Sequence, residues 1–159
     1  QSLGAGTAIM EELPLDRLEA LAGFDAAAIS ALAQVLIRRD FAAGEVLFED
    51  GASGSALYLV AKGRIVALAT TAGNGNDTVR LAGMGPGVVF GEIALLTGAP
   101  RTARCVAETD AVCWMLDQEG LDRLRTEVPA AALQFMFNLA RQSAFRLDAA
   151  SRHIRALES

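Results

Sequence analysis

Residues 36–68 read LIRRDFAAGEVLFEDGASGSALYLVAKGRIVAL. Short β-branched, aromatic and aliphatic runs are broken at Ala43-Gly44, at Gly51–Gly54 and at Lys62-Gly63. Several such runs at roughly ten-residue spacing indicate strands of an all-β sandwich or barrel. The rhythm continues downstream. Residues 70–78, TTAGNGNDT, place Asn and Gly where a hairpin tip needs positive φ. Residues 79–90, VRLAGMGPGVVF, carry the strand-and-turn pattern on, and residues 103–116 add two strands around Glu108-Thr109-Asp110.

Outside this body the period becomes helical. Upstream, Leu13, Leu15, Leu18 and Leu21 form one pattern, and Ile29, Leu32, Val35 and Leu36 form a second, with Asp25 placed as its N-cap. Downstream, Asp117 is positioned to cap a short helix over DQEGLDRLRTEV, and Pro129 suits the first turn of another. From there to Leu157 no Pro or Gly interrupts the chain. Leu133, Phe137, Ala140, Ala144, Leu147, Ser151 and Ile154 form one stripe, which either packs on the barrel or serves as a mobile lid or a dimer contact. The expected organisation is a flexible tail at 1–12 and a single domain at 13–159. Within it, helices at 13–36 and 119–159 flank an eight-strand-like body at 37–118.

Bulk composition narrows the function. The 159 residues are 52% apolar and 21% charged, as in one globular domain. A net charge of -5 argues against nonspecific nucleic-acid binding, which depends on many Lys/Arg–phosphate contacts. Arg141, Arg146, Arg152 and Arg155 nevertheless gather near the C-terminus. No apolar run approaches the roughly 18 residues of a membrane span, and the N-terminus does not read as a signal peptide. The expected location is the cytoplasm, including the cytoplasmic part of a membrane protein. The missing initiator Met suggests a processed chain or a piece of a longer one. Cys105 and Cys113, with one His in the chain, support neither a zinc site nor a disulfide framework. They read as half-buried strand cysteines in a reducing compartment. With no nucleophile–base pair and no metal constellation, neither an enzyme nor a cofactor is expected.

The chemistry concentrates in residues 90–103, FGEIALLTGAPRTA. Gly85, Gly87 and Gly91 leave backbone room ahead of a run, Glu92 to Thr97, long enough for one or two helical turns. The N-terminal end of such a turn suits an anion. Arg101 follows a Gly-Ala-Pro turn that can fold it back over that end, and a guanidinium binds phosphate oxygens bidentately. Glu92 cannot face the same phosphate, but a carboxylate accepts well from a sugar hydroxyl. An anion cradle, an arginine and a hydroxyl acceptor together describe a site for a sugar phosphate.

Residues 90–103 resemble, at every position, the phosphate-binding cassette of the cyclic nucleotide-binding domain family, F-G-E-h-A-L-h-x-x-x-P-R-[AST]-A. This is the family of protein kinase A regulatory subunits and the bacterial cyclic AMP receptor protein. Gly44-Glu45, Gly51, Tyr58 and Gly63 also stand where the family's first strands have them. The resemblance spans about residues 37–118 and implies a jelly-roll-like, double-stranded β-helix barrel of eight strands, with a cassette helix and flanking helices.

It further implies the ligand, cyclic AMP or cyclic GMP, and roles for single residues. Glu92 with the Gly91 amide takes the ribose 2′-hydroxyl. Arg101 takes the cyclic phosphate, assisted by the backbone N–H groups of Ala94 and Thr102. The Thr102 hydroxyl is offered either to a phosphate oxygen or to a guanine 2-amino group. Ile93 and Ala103 complete the cassette, and Val79, Leu81 and Val89 are candidates to pack on the base. Arg152, His153, Ile154 and Arg155 are candidate lid residues, and the C-terminal helix is a candidate homodimer contact. The implied function is a regulatory module that senses the nucleotide and signals to an attached effector domain. The alternatives are a transcription regulator without its DNA-binding part, and an interaction module whose pocket no longer binds nucleotide. The ending ASRHIRAL is similar to the tails of such domains in bacterial sulfate-permease-type transporters and glutaminases.

Overall fold

The computed structural model describes residues 11–13, 18–70 and 78–158, and at Arg146, Ala150, His153 and Glu158 the backbone alone. Leu15, the tail before Glu11 and most of the hairpin tip expected at Thr70–Thr78 lie outside the described residues.

In chain order, a 3-10 turn at Glu19–Leu21 precedes α1 (Ala26–Val35), and six strands follow. These are β1 (Ile37–Phe41), β2 (Val46–Phe48), β3 (Ala56–Lys62), β4 (Ile65–Thr70), β5 (Thr78–Met84) and β6 (Val89–Phe90). Then come α2 (Glu92–Thr97), β7 (Arg104–Ala107), β8 (Ala111–Asp117), α3 (Gln118–Glu127) and α4 (Pro129–Glu158). The eight strands among the described residues form two four-stranded sheets, ordered β1-β8-β3-β6 and β2-β7-β4-β5, with every pairing antiparallel. The mainly β architecture with flanking helices and a long C-terminal helix is therefore the one expected.

Side-chain alternation along β3 and β8 builds two cores from one sheet. Leu57, Leu59, Trp114 and Leu116 face the helices and pack with Leu32, Leu121, Leu124 and Phe135. Tyr58, Val60 and Cys113 face the other way and meet Ile65, Met84, Phe90 and Cys105 between the sheets. Because both faces of β3 are covered, its run ALYLV is apolar throughout rather than alternating.

The helical boundaries follow local chemistry. Asp25 caps α1 by accepting from the Ala28 N–H at 2.8 Å, and Asp117 caps α3 by accepting from the Gly120 N–H at 2.8 Å. α4 begins at Pro129. Two expectations need correction. Of the readings open for the apolar stripe on α4, packing on the barrel fails, because the stripe faces away from the fold: Leu133 is 71% exposed, Phe137 56% and Leu147 70%. The docking face is instead Ala131, Ala132, Phe135, Asn138 and Leu139, because the 3-10 turn and α3 meet the helix on that side. There Phe135 meets Phe24 edge-on at 6.3 Å, and Asn138 Nδ2 donates to the carbonyls of Ala20 and Ala22 at 2.9 and 2.8 Å.

The second correction concerns Glu12, read as the end of a flexible tail. It accepts from Trp114 Nε1 at 3.0 Å and lies 2.8 Å from Arg38 Nη2 and 3.6 Å from Lys62 Nζ. Beside it Leu13 is fully buried, so the fold begins before residue 13. Among the described residues no helix is long and apolar enough to cross a membrane.

Candidate ligand-binding site

The turn from β6 into α2 depends on Gly91, which stands in the left-handed region at φ +82°. A Cβ there would lie 2.9 Å from Arg101 Nη1 and 3.0 Å from the Ala56 carbonyl oxygen, so glycine is required by space as well as by torsion. α2 ends after six residues at Thr97, and its C-cap Gly98 donates its N–H to the Ala94 carbonyl at 2.9 Å. The chain then returns through Pro100. Two backbone bonds clamp Arg101 to the β2–β3 connection: its N–H donates to Ala52 O at 3.0 Å, and Gly51 N–H donates to Arg101 O at 2.8 Å.

The Arg101 side chain is only 7% exposed. Nη2 donates to Ala56 O at 2.8 Å and Nη1 to Gly91 O at 3.2 Å, while the guanidinium carbon sits 4.0 Å from the Phe48 ring centroid. Burial draws its pKa below the ordinary arginine value, yet a guanidinium stays protonated at neutral pH. Among the described residues no carboxylate forms an ion pair with it. Taking a charge out of water costs several kcal/mol unless a counter-charge is provided, so the site is set up for an anion from outside.

Behind Arg101 lies an aromatic layer. Tyr58 stacks on Phe90 at 5.3 Å between centroids, and Phe48 sits 6.0 and 6.4 Å from the two rings. Burial raises the Tyr58 pKa, pushes the Cys105 thiol up to about 11 against the opposing effect of Arg101, and pushes Cys113 to about 12. Both cysteines are buried thiols of the inter-sheet core. Among the described residues no group of three or more His, Cys, Asp or Glu could hold a metal ion.

These elements enclose a cavity of about 400 Å³, within the 300–1,000 Å³ usual for small-molecule sites. Of the candidate site residues, Val89, Gly91, Glu92, Ile93, Ala94, Arg101, Thr102 and Ala103 line it. Glu92 is 7% exposed at the start of α2, whereas Thr102 lies at the exposed rim. Val79 and Leu81 do not line the cavity; both are exposed on β5. Ala67 stands opposite Ala82 and Leu68 opposite Arg80, so Leu81 is an extra residue bulging from β5 and the face of the strand changes there. Ala82, Gly83 and Met84 reach the cavity instead.

The candidate lid is likewise away from the cavity. Ile154 and Arg155 are exposed, and Arg152 pairs with Asp148 one turn back at 3.1 Å. The His153 side chain lies outside the described residues. Sequence reasoning missed Phe48, Ala67 and Cys105. Phe48 had one signal, an aromatic in the short run just before the Gly51 turn.

The chain is similar to known proteins in sequence and in fold. The family model described as "Cyclic nucleotide-binding domain" matches residues 38–127, more than half of the chain. Glutaminase 2 of Bradyrhizobium diazoefficiens is 32% identical over 98% of this chain and 24% of its own length. A CRP-like cAMP-activated global transcriptional regulator of Mycobacterium tuberculosis is 30% identical over 84% of this chain and 58% of its own. Among solved structures, the Thermus thermophilus catabolite activator protein superposes with a TM-score of 0.75 at 32% identity, covering 88% of this chain and 63% of that one. The chain spans less than two thirds of the length of these curated relatives.

Proposed function

Because the chain belongs to the cyclic nucleotide-binding domain family, we propose that it binds a 3′,5′-cyclic nucleotide, cyclic AMP or cyclic GMP, in the cavity beside Arg101. The single observation that carries this reading is the buried guanidinium, held by two backbone carbonyls and facing a 400 Å³ cavity without a carboxylate partner among the described residues. In this reading the cyclic phosphate supplies the missing counter-charge. Glu92 and the Gly91 amide take the ribose 2′-hydroxyl, and the N–H groups of Ala94 and Thr102 assist at the phosphate.

The chain itself catalyses nothing in this reading. Its work is differential affinity: the nucleotide favours one placement of the C-terminal helix, and only that difference can drive a signal. The exposed face of α4, with Leu133, Phe137 and Leu147, is the surface offered to an effector domain or to a second copy. A match to a glutaminase over nearly the whole of this chain but a quarter of that protein supports service to a larger effector protein.

The test is isothermal titration calorimetry with cyclic AMP and cyclic GMP separately, using linear AMP as control. Micromolar or tighter binding of a cyclic nucleotide, with AMP much weaker, is expected. No heat and no thermal shift with any of them would reduce the cavity to a relic and leave α4 as a docking surface.

A further inference from the structure

Building on the proposed nucleotide site, we infer that the cavity reads the cyclic ribose phosphate and leaves the base edge unread, so its ligand class is 3′,5′-cyclic nucleotides of any base, pyrimidines included. Among the described residues, the charged and hydroxyl-bearing side chains that line the cavity, Glu92, Arg101 and Thr102, all belong to residues 90–103. The remaining wall is of another kind. Ala67 from β4, Ala82 and Met84 from β5, Cys105 from β7 and Phe48 from β2 present methyl, thioether, thiol and ring surfaces.

Two charged side chains come near this wall without joining it. A Cβ on Gly83 would collide with the guanidinium groups of Arg64 and Arg80, so both arginines crowd that residue. Each is engaged by Glu108, at 3.3 Å from Arg64 and 2.6 Å from Arg80, and neither lines the cavity. The Cys105 thiol, with its pKa near 11, is protonated at neutral pH and is a weak donor.

What distinguishes adenine, guanine, cytosine and uracil is the pattern of donors and acceptors on their edges. Discrimination by factors of ten thousand requires a site that hydrogen-bonds those groups, because a wrong base then leaves a buried polar partner unpaired. An apolar wall separates ligands only by size and contact, typically by about 10- to 200-fold per group changed. Every base offers an apolar face to such a wall, and a purine offers more of it than a pyrimidine.

The experiment titrates the protein by calorimetry with cyclic AMP, cyclic GMP, cyclic CMP and cyclic UMP, with linear AMP as control. All four cyclic nucleotides should bind with affinities within about two-hundredfold of one another, the purines tighter. A preference of a thousandfold or more for one base, beyond what size and contact supply, would overturn the inference while leaving the nucleotide site standing, and would point to a base-reading group such as Thr102 or a residue of α4 brought to the mouth. Absence of binding by all four would overturn the nucleotide site itself and this inference with it.

Discussion

Replacing Arg101 by Met separates a ligand role from a structural one. Methionine fills much of the same volume and removes the charge. In the empty protein the substitution leaves the buried Ala56 carbonyl without its 2.8 Å donor, at a cost of about 1–3 kcal/mol. It also removes the contact with Phe48, about 0.5–2 kcal/mol. Against this it relieves the burial of a guanidinium that lacks a carboxylate partner among the described residues, a penalty of several kcal/mol. The opposing contributions nearly cancel, so stability should stay within about 2 kcal/mol of the parent, or roughly 4–8 °C in Tm. Cyclic nucleotide binding has no such compensation. Removing one partner of a buried, hydrogen-bonded charge pair costs about 2–5 kcal/mol, roughly thirty- to several-thousand-fold in Kd. The assays are calorimetric titration and thermal melting with and without ligand. A variant that binds like the parent, or whose empty form melts lower by as much free energy as its binding loses, refutes the reasoning.

Gly91→Ala forces a side chain into a positive-φ position and against Arg101 Nη1; melting should drop by several degrees for about 1–2 kcal/mol, with affinity falling in parallel, and an unchanged pair of values would show that the turn relaxes freely. Glu92→Gln should weaken the ribonucleotide more than its 2′-deoxy analogue, and equal losses measured by titration would remove Glu92 from the ribose. Phe135→Ala should cost about 3–5 kcal/mol by denaturant unfolding, whereas Phe137→Ala on the exposed face should stay within about 0.5 kcal/mol. The Glu12 carboxyl is held below its ordinary value of 4.5, first by the hydrogen bond from Arg38 and then by the charges of Arg38 and Lys62 and the Trp114 indole, against burial. Its folded pKa is depressed, so the stability it adds is present above pH 4.5 and lost as pH falls through the lower folded value. Emission of Trp114, the chain's one tryptophan, should follow that loss, and Glu12→Gln should flatten this part of the profile.

Features encoded by neighbours in the chain were legible. The caps at Asp25 and Asp117 and the start of α4 at Pro129 depend on three or four adjacent residues. Residues 90–103 carry Gly91, Glu92 and Arg101 on one continuous segment, so spacing alone brings them to one cavity. What remained hidden depends on distant partners or on parity. Phe48 comes beneath Arg101 only when β2 pairs with β7. One extra residue at Leu81 reverses the faces of β5, which no alternation pattern can announce. On α4, Leu133 and Phe137 are as apolar as Phe135 and Leu139, and only the neighbours at Glu19–Leu21 and α3 decide which pair is covered. Glu12 finds Trp114 across 102 residues.

The buried residues of α4 end at Leu139, and from there the helix runs on to Glu158, roughly 28 Å at 1.5 Å per residue. Such a length magnifies angle into distance. A tilt of about 10° at the anchored turn carries the far end by roughly 5 Å, close to one helical pitch. A repacking too slight to break the Asn138 bonds would thus become, at the tip, a displacement large enough to change which side chains a docked partner would meet.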